Sequence, residues 1–263
     1  MDKKYDIVVY GATGFTGKLV CEYLDSHDEI SNVKWAIAGR NIDKLNEVAS
    51  TLSDIDIIQA TSEVSDSLDK MCRQTELVLT TVGPYDLYGE LLLKSCIENR
   101  THYLDLTGEP QFVNRMMKQY SETANDRGVA IINCCGFESI IPDVGTLFTI
   151  KKLKAKKIQV NYFLQTHGTI SGGTWASFLN SVAIKKSIIK IAPSGNKSYK
   201  TKKLYFDKNL NKWAMIFPVI DRQIVMRSSK TNPIYGQEFN FNEYILGKSY
   251  MKLFILICTI GFI

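Results

Sequence analysis

The chain has 263 residues, 45% of them hydrophobic and 22% charged, which is enough apolar material for one large domain or two smaller ones and excludes a disordered chain. Its net charge is only +5, with the surplus in two lysine runs, Lys151 to Lys157 and Lys185 to Lys203. Neither run has the aromatic interleaving of a nucleic-acid surface, so nucleic acid is not an expected partner, and the runs read as solvated faces or as a patch for an anionic membrane.

Residues Tyr5 to Gly17 read YDIVVYGATGFTG, a strand-like apolar run followed by Gly11, Gly14 and Gly17 at the spacing G-x-x-G-x-x-G. Such a turn places a pyrophosphate on a helix N-terminus: Gly11 for the tight turn, Gly14 for close backbone approach, Gly17 for helix packing on the strand. Thr13, Phe15 and Thr16 belong to the same cofactor-binding turn. Strand and helix signals then alternate: helix Phe15 to Ser26, strand Val33 to Ala38, helix Ile42 to Leu52, strand Ile55 to Ala60, helix Ser65 to Cys72. They continue with strand Glu76 to Val82, helix Gly89 to Asn99, strand Thr101 to Leu106, helix Pro110 to Arg127 and strand Val129 to Cys134. This rhythm predicts an α/β fold with a Rossmann-type doubly wound parallel sheet over residues 1–135.

The rhythm breaks at Gly136, and residues 136–263 read as a smaller α+β substrate domain. The expected elements are a helix Ile140 to Ile150, a strand Lys156 to Gln165, a Gly-rich link His167 to Gly173, and an amphipathic helix Thr174 to Ile191. Gly172-Gly173 before Thr174 would let an anionic group approach that helix N-terminus. Leu204 to Phe206 and Trp213 to Phe217 flank Asn209-Leu210-Asn211 as a hairpin, and Val219 to Met226 alternates weakly as a further strand. The last stretch, Leu253 to Ile263, carries no charge and is too short to span a bilayer, so it reads as a buried segment, an interfacial anchor or the point of a truncation.

The second strand ends in Ala38-Gly39-Arg40, where an NAD-preferring fold carries an Asp or Glu for the ribose 2′-hydroxyl. Arg40 instead suits a 2′-phosphate, with Lys44 one turn on as a second cation, so the nucleotide partner is expected to be NADP(H) in preference to NAD(H). Asp43, which lies between them, is expected to cap the next helix. Loops after the fourth, fifth and sixth strands would emerge at the carboxyl end of the sheet with the nucleotide. There Gly83 and Pro84 could line the nicotinamide ribose, and the weak catalytic candidates are Tyr85, Asp105 and Glu109. Glu109 reads equally as the cap of the next helix, and His102 as a structural residue.

No Ser-His-Asp constellation is visible. The six cysteines, Cys21, Cys72, Cys96, Cys134, Cys135 and Cys258, show no C-x-x-C pair and no histidine at ligand spacing, so no metal is expected. Met1-Asp2-Lys3-Lys4 leads straight into the first strand, so no secretory leader is expected and the thiols are expected to be reduced in an intracellular compartment.

Six motifs in order carry a family resemblance: Gly11-Ala12-Thr13-Gly14-Phe15-Thr16-Gly17, Ala38-Gly39-Arg40, Thr81-Val82-Gly83-Pro84-Tyr85, His102-Tyr103-Leu104-Asp105-Leu106-Thr107-Gly108-Glu109, Cys135-Gly136-Phe137-Glu138-Ser139 with Pro142-Asp143, and Ser171-Gly172-Gly173-Thr174. The chain resembles the saccharopine dehydrogenase-like oxidoreductases, relatives of saccharopine reductases and trans-acting enoyl reductases. The resemblance implies an NADP(H)-dependent oxidoreductase with a lipid-related substrate, at a lipid droplet or an organelle membrane surface, the mitochondrion included, with room for a homodimer. Glu138 stands where the family's usual Asp would be, the proline of Ile140-Ile141-Pro142-Asp143 falls one residue late, and relatives continue past this end. Two rivals remain open. A cofactor-binding scaffold on a lipid or membrane surface would use Leu253–Ile263 as its contact, and a short-chain dehydrogenase would use a Tyr-x-x-x-Lys pair, Tyr199/Lys203 or Tyr244/Lys248.

Overall fold

The computed structural model describes residues 2–165, 172, 201–217, 220–251 and 253. The expected Gly-rich link, the helix Thr174 to Ile191, Tyr199 and all but one residue of the apolar terminus lie outside them. Two compact units form, the first carried by Met1–Gly136 and the second beginning at Phe137.

In the first unit the elements alternate: β1 (Tyr5–Tyr10), α1 (Phe15–Ser26), β2 (Trp35–Gly39), α2 (Ile42–Ala49), β3 (Asp56–Gln59), α3 (Ser65–Cys72), β4 (Thr75–Thr80), α4 (Tyr85–Glu98), β5 (His102–Asp105), α5 (Pro110–Asp126) and β6 (Ile131–Ile132). All strand pairs are parallel and the order is β3-β2-β1-β4-β5-β6. Chain direction along the sheet reverses between β1 and β4, which leaves a crevice outside their carboxyl ends, where ligands bind in open α/β sheets. Val8, Val9, Ala36, Ile37 and Val78 are fully buried, because a parallel sheet is covered on both faces and reads as unbroken apolar runs.

The second unit contains α6 (Phe137–Ile150), β7 (Lys157–Leu164), β8 (Leu204–Asp207), β9 (Lys212–Ile216), α7 (Asp221–Thr231) and β10 (Glu238–Gly247). Its sheet runs β7-β10-β9-β8, with β10 parallel to β7 and antiparallel to β9. The expected hairpin is β8–β9, in register Phe206↔Trp213. Two expectations are corrected. Within the weak alternation read as a strand over Val219 to Met226, residues Asp221 to Met226 open α7, a helix whose Val225 packs with Ile150, Ile158, Tyr235 and Phe241. The central strand β10 was missed, although Phe239 and Phe241 alternate with Asn240 and Asn242 at strand period.

Candidate functional site

The glycine turn is built by its neighbours. The N–H groups of Gly11 and Ala12 donate to the Ala38 carbonyl at the end of β2, and Gly14 N–H donates to the Gly11 carbonyl at 3.0 Å. Gly11 has φ +95°, and a Cβ there would meet Thr81 Oγ1 at 2.7 Å and Val82 Cγ2 at 2.8 Å. A Cβ on Gly17 would lie 2.2 Å from the Gly11 carbonyl oxygen, so α1 can sit this close to the turn only without a side chain there. At Gly14 the single neighbour within 4 Å among the described residues would be that same carbonyl, at 3.3 Å, so among them the outer side of the turn is open for a ligand.

The first turn of α1 has no side-chain cap and no acidic residue, and Phe15 is 71% exposed. The leading N–H groups of a helix have no intrahelical acceptor and carry the positive end of its dipole, so this terminus suits an anion. The loop after β4 closes on the same place: Thr81 N–H donates to the Tyr10 carbonyl at 2.9 Å, and Thr81 Oγ1 donates to the Gly11 carbonyl at 3.1 Å. Gly83 and Pro84 follow, joined by a cis peptide bond, with Gly83 exposed.

Arg40 leaves the end of β2 exposed to solvent, its carbonyl accepting from Gln59 Nε2 at 3.1 Å. Among the described residues its guanidinium has no ion-pair partner. Lys44 is exposed one turn into α2. The cap of α2 is a correction: Asn41 Oδ1 accepts the Lys44 N–H at 2.9 Å, and Asp43 lies exposed in the first turn. A residue in extended conformation before the helix can turn its side chain back onto the second or third N–H, which a residue already inside the helix cannot do.

The three catalytic candidates are all engaged. Tyr85 is buried and its hydroxyl donates to the Thr80 carbonyl at 3.1 Å. Glu109, also buried, accepts the N–H groups of Tyr85 at 3.0 Å and Asp86 at 2.9 Å. It therefore caps α4, the helix before it, and not α5, where it makes no side-chain cap bond. Asp105 is fully buried: Oδ1 accepts from the N–H groups of Thr107 and Cys134, and Oδ2 from Asn133 Nδ2 at 2.7 Å. Burial pushes its carboxyl above the usual range while these donors pull it down. The carboxylate ties the ends of β5 and β6 together. His102 Nδ1 accepts the Ala130 N–H at 3.0 Å, a structural role.

The second unit holds a polar cluster that the sequence reading did not find. Asp221 at the start of α7 and Glu243 in β10 are both 2% exposed and share a hydrogen bond, and Ser139 Oγ in α6 donates to Asp221 at 2.8 Å. Burial pushes Asp221 up to about 6, against the pull of its hydrogen bonds with Ser139 and Glu243, and pushes Glu243 up to about 9, with Asp221 adding to that rise. Burial also raises Glu138, whose charge bears on Asp221. No ion pair neutralises these groups among the described residues, so the Asp221–Glu243 pair retains a proton at neutral pH, held on Glu243. The only hint in sequence was Glu138-Ser139 within a family motif, because Asp221 and Glu243 stand far apart in the chain.

Residues 7–132 match the family model for the saccharopine dehydrogenase NADP binding domain. A Rattus norvegicus saccharopine dehydrogenase-like oxidoreductase is 33% identical over 87% of this chain and 60% of its own length. The chain belongs to this family. A Caenorhabditis elegans protein named lipid droplet localized protein is 33% identical over 97% of this chain and 68% of its own. A Mycobacterium tuberculosis protein named as a trans-acting enoyl reductase is 34% identical over 67% of this chain and 44% of its own. The chain thus spans about two thirds or less of the length of these relatives. The cofactor of this saccharopine dehydrogenase-like member is NADP(H). The residues present fit it: an uncapped helix terminus, a turn open at Gly14, and at the end of β2 a guanidinium with no ion pair among the described residues.

Proposed function

We propose that the chain is an NADP(H)-dependent oxidoreductase acting on an apolar, lipid-related substrate. In this reading Gly11, Thr13, Gly14, Phe15, Thr16 and Gly17 hold the pyrophosphate, Arg40 and Lys44 the 2′-phosphate, and Gly83 and Pro84 the nicotinamide ribose. The bound nucleotide supplies hydride, while the chain's residues bind it and fix its face toward the substrate. The carrying observation is the uncapped α1 terminus facing the Thr81–Pro84 loop at the β1/β4 switch point. The apolar substrate rests on the poverty of arginine after Gly136, where only Arg222 and Arg227 occur, and on the relative named for lipid droplets. Arg222 already donates to Asn240 Oδ1 at 3.3 Å, so no arginine pair is set aside for a dicarboxylic amino acid.

A cofactor-binding scaffold without catalysis is the second reading, favoured by one observation: Tyr85, Asp105 and Glu109 are all consumed by structural hydrogen bonds. Fluorescence titration with NADPH and NADH, on the chain and on Arg40→Ala, tests the nucleotide site. Selective loss of NADPH affinity supports the site, and equal loss for both nucleotides rejects Arg40. A substrate screen on NADPH-loaded protein then separates enzyme from scaffold.

A further inference from the structure

Helix α6 is built inside out. Its buried positions are Ser139, Pro142, Thr146 and Ile150, and Asp143 is tied inward by Ser228 Oγ at 3.0 Å. Its exposed large side chains are Phe137 at 64%, Ile140 at 42%, Ile141 at 51%, Val144 at 54% and Phe148 at 68%. The other exposed residues of the helix are Gly145 and Thr149, so this face carries no charge. The spacing i, i+3, i+4, i+7, i+11 puts the five apolar side chains in one stripe, a contiguous exposed apolar face of the kind that marks an interaction site.

The stripe runs directly into Lys151-Lys152-Leu153-Lys154-Ala155-Lys156-Lys157, every residue of it exposed. Lys152 Nζ stands 5.8 Å from the Phe148 ring centroid, so the cations border the apolar stripe, and Leu153 adds a further 49% exposed apolar side chain among them. Lys157 is paired with Glu238, whereas Lys151, Lys152, Lys154 and Lys156 have no ion-pair partner among the described residues.

We propose that the outer face of α6, with the lysines that follow it, is a docking surface for an anionic phospholipid layer. An apolar helix face flanked by lysines lies in a membrane interface with its aromatic and aliphatic side chains among the acyl chains and its cations at the head groups. Charge selects this occupant. A second copy would bring its own uncompensated lysines to the contact, whereas an anionic surface neutralises them, each lysine adding about fivefold to partitioning. The proposal does not draw on the apolar terminus Leu253–Ile263 and rests only on the lipid-related part of the proposed function.

The test is flotation of the full chain with phosphatidylcholine vesicles, with and without phosphatidylserine, for the unaltered chain, Ile141→Gln/Phe148→Gln, Lys151→Glu/Lys152→Glu, and a chain lacking Leu253–Ile263. The proposal expects binding to the anionic vesicles that weakens with salt, falls at least tenfold in both substituted variants, and survives loss of the terminus. It is overturned by absence of binding, by binding that both substituted variants retain, by binding lost only with the terminus, or by a dimer that Ile141→Gln/Phe148→Gln breaks without any vesicle binding. Thermal unfolding and NADPH titration of the same samples show that the variants are folded and keep failure of the docking surface distinct from failure of the nucleotide site.

Discussion

Replacing Glu243 with glutamine should make the protein more stable at alkaline pH. Asp221 and Glu243 are buried with no ion pair among the described residues, and the groups around them from the packed elements are Glu138 and Ser139 of α6 and Tyr162 of β7, none of them positive. In the unfolded chain both carboxyls titrate near pH 4. Folded, Glu243 is pushed up to about 9, so the pair keeps at least one proton that the unfolded chain has released. A raised carboxyl pKa leaves stability intact below the unfolded value and erodes it as pH climbs toward the folded one. One retained proton costs about 1.4 kcal/mol per pH unit, hence about 3 kcal/mol between about pH 6 and about pH 8. The amide introduced by Glu243→Gln keeps the shape of the carboxyl and can donate to an ionised Asp221, so the variant should lose this slope. Urea unfolding of both proteins across that range, followed by circular dichroism, should show the stability difference moving in favour of the variant by about 3 kcal/mol. Parallel pH curves would refute the shared proton.

Gly17→Ala would place a methyl 2.2 Å from the Gly11 carbonyl oxygen, against backbone that cannot yield cheaply, so a loss of about 3 kcal/mol or more in stability and of NADPH affinity should appear in thermal unfolding and titration. Glu109→Ala leaves the Tyr85 and Asp86 N–H groups without acceptors, and should cost about 2–3 kcal/mol in urea unfolding. If activity is found, Glu109→Gln, which keeps one acceptor oxygen, should retain most of it; complete loss in a folded Glu109→Gln variant would instead make Glu109 catalytic. Arg40→Ala should weaken NADPH binding at least tenfold with little change for NADH, read by the fluorescence titration.

The first unit was legible because its signals are local. Buried parallel strands make unbroken apolar runs such as Ile7-Val8-Val9, the glycine spacing marks one turn, and Arg40 directly follows a strand whose end fixes its place. Six strands in alternation with helices leave few topologies, and the strand order is one of them. The second unit was less legible because its strands are interleaved with polar residues. Asn240 and Asn242 masked β10 although Phe239 and Phe241 kept strand period, and Asp221-Arg222-Gln223 opened a helix where weak alternation suggested a strand.

Sequence by itself determined the doubly wound sheet and the glycine turn after its first strand, and it pointed to NADP(H) as the cofactor, since each follows from residues adjacent in the chain. Tertiary structure decided the rest. Glu109 proved to cap α4 across 23 and 24 residues, Ser139, Asp221 and Glu243 met from three separate elements, and α6 turned its apolar side outward. Hydrogen-bond partners and exposure depend on which elements pack together, and periodicity along one segment holds no record of its neighbours.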